Sequence, residues 1–315
     1  MTTTLRGACF DVEIAPERGA DIVQITDVAT GLPLLAQSPT RHVRRAPSGA
    51  DSMAAWLAGY PGGWQMLVPN AGPQRVHDGV HQGFHGEAAL AEWTVLGQTP
   101  ASCEVETWLA TAPLHLHRTV TATDDGVAVT DTLRNLSPDT IEVRIVQHPA
   151  FGSPFLDDRS YVTVPAGTVV ADADAPGSLV EAGAVGSPGS VLGDAVDDLG
   201  IRLPGPGSEA SLFAAFTDFT APEATFHSPT HGFGVRLSWD AAVYPHAWFW
   251  IEANAGAGWP WFRRLYAIAV EPANVLPGEG LTSDGRPLGG PGVALEPDRP
   301  LSSTTRLSRR SSPVG

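Results

Sequence analysis

The chain has 315 residues, 43% of them hydrophobic, and a formal net charge of −15. That length suits one large or two ordinary domains, and the apolar content is enough for a real core. Nucleic acid and anionic membrane surfaces are poor partners for so acidic a chain, because both need basic patches. All 19 basic residues are arginines. A chain without lysine cannot form a Schiff base or complete a phosphate-cradling Gly-rich loop that ends in lysine. No apolar run approaches the roughly 20 residues of a membrane span. The start, MTTTLRGACFDVEIAPERG, has no basic-then-apolar signal pattern. Cys9 and Cys103 form no metal or redox spacing. Together these features predict a cytoplasmic protein with reduced thiols and no nucleic-acid or membrane partner.

In chain order, Cys9–Ala15 and Asp21–Val28 read as short strands joined by the Pro16–Ala20 turn. The pattern breaks between Gln37 and Gly62, where Arg41, Arg44 and Arg45 fall and where a short helical turn is expected near Ser52–Leu57. Residues 62–93 read as a long ordered loop. The strands Ala91–Gly97, Cys103–Ala110, Leu114–Ala122, Gly126–Asn135 and Thr140–His148 follow, separated by Pro, Asp-Asp-Gly and Asn-Leu-Ser-Pro-Asp signals. Pro165–Glu209 has weak periodicity and reads as a long excursion with no assigned structure. Strands resume at Ser211–Asp218, Ala224–His227, Gly234–Trp239, Ala247–Glu252 and Arg264–Glu271. This spacing, with no βαβ alternation, predicts an all-β fold, a large antiparallel β-sandwich. Residues 1–300 are expected to form one domain, and residues 301–315 a disordered tail.

The stretch from Gly62 to Trp93 is unusual in kind. It sets His77, His81 and His85, Trp64 and Trp93, Asn70, Arg75 and Glu87 among many glycines. Glycine weakens regular elements by roughly 0.5–1 kcal/mol each, and a solvated linker would not hold so many aromatics. Polar groups beside indole faces suit a sugar, which has hydroxyl edges and apolar C–H faces. Elsewhere, three polar groups end apolar strands. His148 closes Ile141–Gln147 on that strand's polar face, just before Pro149. It either reaches into a cleft or is an ordinary surface or core-edge histidine. Glu271 closes Leu265–Val270 and shares a face with the small Ala267 and Ala269, which leaves room for a ligand. Partial burial there would raise the carboxyl pKa toward the range of a general base; a rim ion pair with Arg263 or Arg264 is the alternative. Trp248, Trp250 and Glu252 share a face, as a sugar platform or as core, while Trp259 and Trp261 in a Gly/Pro loop are better placed for a ligand. His115 and His117 stand two apart with no further metal-ligand spacing, so no metal is expected.

Taken together, Glu17–Ile22, Gly63-Trp-Gln, Pro69–Gly72, His85-Gly-Glu-Ala88 with Trp93, Arg118, Gln147–Gly152 and Tyr266–Pro272 resemble the aldose 1-epimerase (galactose mutarotase-like) superfamily in order and spacing. The resemblance implies a β-supersandwich and an isomerase that needs no cofactor. It also implies that His148 is a general acid, Glu271 a general base and His85 a sugar ligand near the ring oxygen. The family's Gly-Arg-x-x-Asn-Arg-Ile segment is absent; Asn70 and Arg75 stand in its approximate place, and Asp240 stands for the family's binding aspartate. Trp64, Glu87 and Trp259 complete the expected sugar-binding set.

The expected activity is interconversion of α and β anomers of a hexose by ring opening and reclosure, on a small-molecule monosaccharide, by a monomer or homodimer. The rivals are a carbohydrate-binding module without turnover, a hexose-phosphate mutarotase with Arg41, Arg44, Arg45 or Arg75 on the phosphate, and a glycosidase in which Glu252 or Glu87 stands near Glu271.

Overall fold

The computed structural model describes residues 2–39, 52–278, 280–281, 287–290 and 292–311. Arg41, Arg44 and Arg45 lie outside the described residues. Two antiparallel sheets of ten strands each carry the fold. The first sheet runs, from edge to edge, through Thr3–Arg6, Phe10–Ala15, Asp21–Asp27, Trp64–Leu67, Val146–Phe151, Tyr266–Ala273, His246–Ala253, Ala210–Phe219, Ala166–Ala171 and Val185–Gly186. The second contains, in spatial order, Val196–Asp197, Gly200–Arg202, Tyr161–Thr163, Glu223–Ser228, Phe233–Ser238, Leu301–Ser311, Gly126–Asn135, Leu114–Ala122, Ser102–Trp108 and Thr94–Gln98. The expected all-β sandwich is the observed architecture.

Alternation along the first sheet sends side chains to two different interiors. Trp64, Met66, Phe151, Phe216, Phe249, Ile268 and Val270 fill the layer between the sheets. On the opposite face, Leu67, Val146, Ala150, Ala215, Trp248, Ala267, Ala269 and Ala273 belong to a second buried cluster. The short helix Ser52–Gly59 and the loops around it cover that cluster, contributing Trp56, Tyr60, Trp261 and Leu265. The sheet is therefore buried on both faces at its centre, and the site lies on the face away from the partner sheet.

Three expectations are corrected. Leu301–Ser311 is an eleven-residue strand inside the second sheet, between Phe233–Ser238 and Gly126–Asn135. Its Ser/Thr/Arg composition reads as a solvated tail, yet Ser303, Thr305, Leu307 and Ser308 are buried. Two hydroxyls of the strand pair across to other elements, Thr304 with Thr130 and the buried Ser303 with Tyr244. The glycine-rich stretch is not wholly loop, because Trp64–Leu67 is a fully buried strand of the first sheet. The expected Thr140–His148 strand is two: Ile141–Val143 pairs with Val293–Leu295, and Val146–Phe151 joins the first sheet and runs through Pro149.

A buried polar network ties the two sheets together. Arg118 and Asp131 form a bidentate pair at 2.7 and 3.1 Å. Gln147 donates to Asp131 (2.8 Å) and to Tyr244 (3.2 Å), and accepts from the Trp64 indole (3.0 Å). Asp131 pulls the Arg118 pKa up against the cost of burial, so the guanidinium stays charged.

Candidate active site

His148 and Glu271 sit on adjacent strands of the first sheet. The register sets Val146 opposite Ala273 and Ala150 opposite Ala269, so His148 faces Glu271 across the ladder. Their side chains approach to 3.8 Å, Nδ1 to Oε1, and are 6% and 2% exposed. At that distance they are near neighbours without a direct hydrogen bond. The neighbours of Glu271 on that face, Ala267, Ala269 and Ala273, are small and buried. His148, Glu271 and His85 line one cavity of about 400 Å³, walled by aromatic rings.

Electrostatics follow from burial. With desolvation as the dominant cause, the His148 pKa falls to about 4 and that of Glu271 rises well above the usual carboxyl range. Both shifts favour the neutral forms, an imidazole without its second proton and a protonated carboxyl. His85 is held differently. Its Nδ1 accepts a hydrogen bond from the Gly72 amide at 3.0 Å, which places the ring proton on Nε2. Burial, then the neighbouring His148, lowers its pKa well below the usual value. A ring locked in that tautomer is a neutral hydrogen-bond donor.

His85 adopts φ 60°, a left-handed conformation uncommon outside glycine. Its amide donates to the Gly72 carbonyl, and the following Gly86 packs its α-carbon so close to the Val68 carbonyl that a Cβ there would stand 2.3 Å from the oxygen. This glycine turn swings the imidazole into the cavity, with its centroid 6.3 Å from that of His148 and its plane perpendicular.

The other expected ligands are not at the cavity. Trp64 is wholly buried between the sheets and bonded to Gln147; alternation along Trp64–Leu67 points Gln65 and Leu67, not Trp64, to the site face. Asn70 is also buried, and its amide staples the loop by donating to the Pro73 and Gly83 carbonyls. Arg75 lies on the small hairpin Arg75–His77/Val80–Gln82, where its Nε donates to Gln82 at 2.9 Å. Glu87 accepts from the Ala110 and Thr111 amides and so fixes a turn. Trp259 is 53% exposed, while its loop neighbour Trp261 reaches the cavity instead. Asp240 caps its own turn through the Ala242 amide. Glu252, the possible second carboxylate of a glycosidase, accepts from the Gly256 amide and does not line the cavity. His115 and His117 pair with Glu106 and Glu104 on the second sheet.

In place of the missing ligands stand Trp248, which the strand pattern offers as platform or core, and three residues without a sequence signal of their own, Trp56, Tyr60 and Asp172. Trp56 and Tyr60, one helical turn apart, stack at 5.0 Å and cover His148. Trp56 lies in the helix Ser52–Gly59 and Tyr60 just past its end. Trp248 directs its indole N–H to the Val275 carbonyl. Asp172, at the end of the Ala166–Ala171 strand, lines the cavity with its Oδ1 held by the Asp174 and Ala175 amides. It came from the stretch left without assigned structure, where no periodicity marked it.

Behind the Trp56–Tyr60 wall lies a second hollow, lined by Asp21, Arg18 and Gln65. Burial raises the Asp21 pKa to about 8, against the opposing pull of Arg18, Gln65 and Arg118.

Comparison with known proteins agrees with this architecture. The family described as a domain of unknown function, DUF4432, matches residues 2–284, and the chain belongs to it. No curated protein matches the chain in sequence. Among solved structures, the Slr1438 protein from Synechocystis sp. PCC 6803 superposes with a TM-score of 0.72 at 19% identity, over 99% of this chain and 96% of its own. The galactose mutarotase related enzyme from Lactobacillus acidophilus gives 0.70 at 15%, over 100% and 99%. The GalM/aldose epimerase homologue from C. elegans gives 0.66 at 13%, over 99% and 99%. At these identities the likeness is one of fold: the chain has the galactose mutarotase-like fold that its sequence pattern resembles.

Proposed function

We propose that this member of the DUF4432 family is an aldose 1-epimerase that opens and recloses the ring of a monosaccharide. The observation that carries the reading is the buried His148–Glu271 pair, 3.8 Å apart in a cavity of sugar size. Mutarotation takes a proton from the C1 hydroxyl while another is given to the ring oxygen. The ring opens to the aldehyde, the C1–C2 bond rotates, and closure on the other face yields the other anomer. Total proton count on the protein is unchanged, so a pair holding one proton between two groups suffices. One member accepts as the other donates, and the return step reverses the roles. On the family pattern, Glu271 works at the C1 hydroxyl and His148 at the ring oxygen, so the shared proton passes from the carboxyl to the imidazole as substrate binds, leaving ionised Glu271 to accept and protonated His148 to donate. Substrate hydroxyls then supply the polar partners that burial denies both groups. His85, locked as an Nε2–H donor, binds a sugar oxygen, and the Trp and Tyr faces take the C–H surface.

The pH dependence follows in sign. Activity falls as pH drops through about 4, where His148 gains a second proton for the pair. It also falls as pH rises through the raised Glu271 value, where the pair loses its only proton. Polarimetry of freshly dissolved α-D-glucose and α-D-galactose, with tryptophan fluorescence on the same samples, tests the reading. A relaxation rate well above buffer is expected. Sugar-dependent fluorescence without acceleration would instead mark a binding module.

A further inference from the structure

Resting on the mutarotase reading, we propose that the substrate is an uncharged 6-deoxyhexose, whose methyl group occupies an aromatic corner beside His148. In any pyranose the ring oxygen is bonded to C1 and to C5, and C6 is attached to C5. The two atoms that exchange protons, the C1 hydroxyl and the ring oxygen, must meet His148 and Glu271. C6 is only two bonds from the ring oxygen, so it too must lie beside this pair, whichever member serves which oxygen.

Aromatic rings surround the pair. Around the His148 imidazole stand Trp250 at 5.5 Å, Tyr60 at 5.7 Å and Trp56 at 6.3 Å between centroids. Trp261 backs Tyr60 at 5.6 Å. On the Glu271 side, the ladder partner is Trp248, whose N–H is spent on the Val275 carbonyl. The Tyr60 hydroxyl lies in the fields of Glu271 and Asp21. Apart from that hydroxyl and the His148 ring nitrogens, the corner offers C6 ring face and ring edge.

A hydroxymethyl group placed there would lose water contacts for little return, whereas a methyl group gains apolar burial. The polar groups suited to ring hydroxyls are His85, its ring 6.3 Å from that of His148, and Asp172. Among the described residues no arginine lines the cavity, and Asp172 and Asp174 add negative charge, so a phosphate, sulfonate or uronate at C6 would meet no cation among those residues.

Sugar pairs that differ only at C6 test this directly: D-galactose against D-fucose, D-glucose against 6-deoxy-D-glucose, L-galactose against L-fucose, and L-mannose against L-rhamnose. Anomeric exchange followed by NMR should give a kcat/KM at least about tenfold higher for the 6-deoxy member of the pairs turned over. The modest size reflects how weakly an apolar pocket rejects an added hydroxyl. D-xylose, which lacks C6, should fall below 6-deoxy-D-glucose. Parent hexoses exchanged as fast as their 6-deoxy partners would overturn the proposal and leave the mutarotase reading standing. Exchange at the buffer rate for every sugar would overturn both. Trp250→Asn supplies a second arm: an amide in the corner should move the preference toward the parent hexose by about tenfold, and an unchanged ratio in a folded variant would contradict the assignment of the corner.

Discussion

Gln147 and His148 are consecutive residues on one strand, and they open onto two different buried polar regions. Gln147 points between the sheets into the Arg118–Asp131 network, where each charge has a partner at hydrogen-bonding distance. His148 points to the other face, where it and Glu271 stand 3.8 Å apart with no hydrogen bond between them. Burial acts on both regions. In the first, pairing overrides it and the guanidinium stays charged; in the second, burial favours the neutral form of both groups. A satisfied polar network holds a structure, while an unsatisfied pair facing a cavity has capacity left for a ligand.

The sharpest way to break this contrast is to alter one region and read out the other. Glu271→Gln and His148→Asn should each lower the mutarotation rate by about 10²–10⁴-fold. Their melting temperatures at neutral pH should change little, because neither removes a structural hydrogen bond. Arg118→Met should do the reverse. It strands Asp131 without its cation and should cost about 3–5 kcal/mol in denaturant unfolding, with activity falling only as the folded fraction falls.

Asp21 tests the middle ground, a buried carboxyl outside the catalytic pair. Its folded-state pKa, about 8, lies above the unfolded value. The folded protein therefore holds an extra proton between roughly pH 4 and 8, and this group's contribution to stability declines as pH rises through that window. Asp21→Asn should remove the decline, so the variant gains on the wild type by a few kcal/mol between pH 5 and pH 8.5, as read by thermal melts at both pH values. A parallel slope in both proteins would show that Asp21 is ionised in the fold. The smallest effect is expected at Trp259, which is exposed and away from the cavity; Trp259→Ala should change kcat/KM by less than about twofold.

The same strand shows why some of the site was legible and some was not. Alternation before a proline singled out His148, and an apolar strand ending in a carboxylate beside small residues singled out Glu271. Both signals are local, and a regular ladder converts them into positions. Alternation also ruled Trp64 out, since Trp64 and Met66 share a face opposite to Gln65 and Leu67, but the glycine-rich surroundings masked the strand. Asn70, Arg75 and Glu87 are polar residues whose hydrogen bonds hold loops and turns together. From sequence alone, a side chain that binds a backbone amide looks the same as one that binds a sugar. Trp56, Tyr60 and Asp172 come from short or weakly patterned segments, and only the fold brings them to the cavity. The strand Leu301–Ser311 was hidden by composition: its hydroxyls pair with those of the neighbouring strand, Thr304 with Thr130 and Ser302 with Thr132, a pairing visible only across strands.

The central claim is that His148 and Glu271 act as one unit sharing one proton. A double-mutant cycle measured by anomeric exchange tests it most directly, using Glu271→Gln, His148→Asn and the double variant on a single sugar. The account predicts strong non-additivity, with each single variant losing nearly as much rate as the double. Rate losses that simply multiply, or a single variant that exchanges anomers at the wild-type rate, would contradict it.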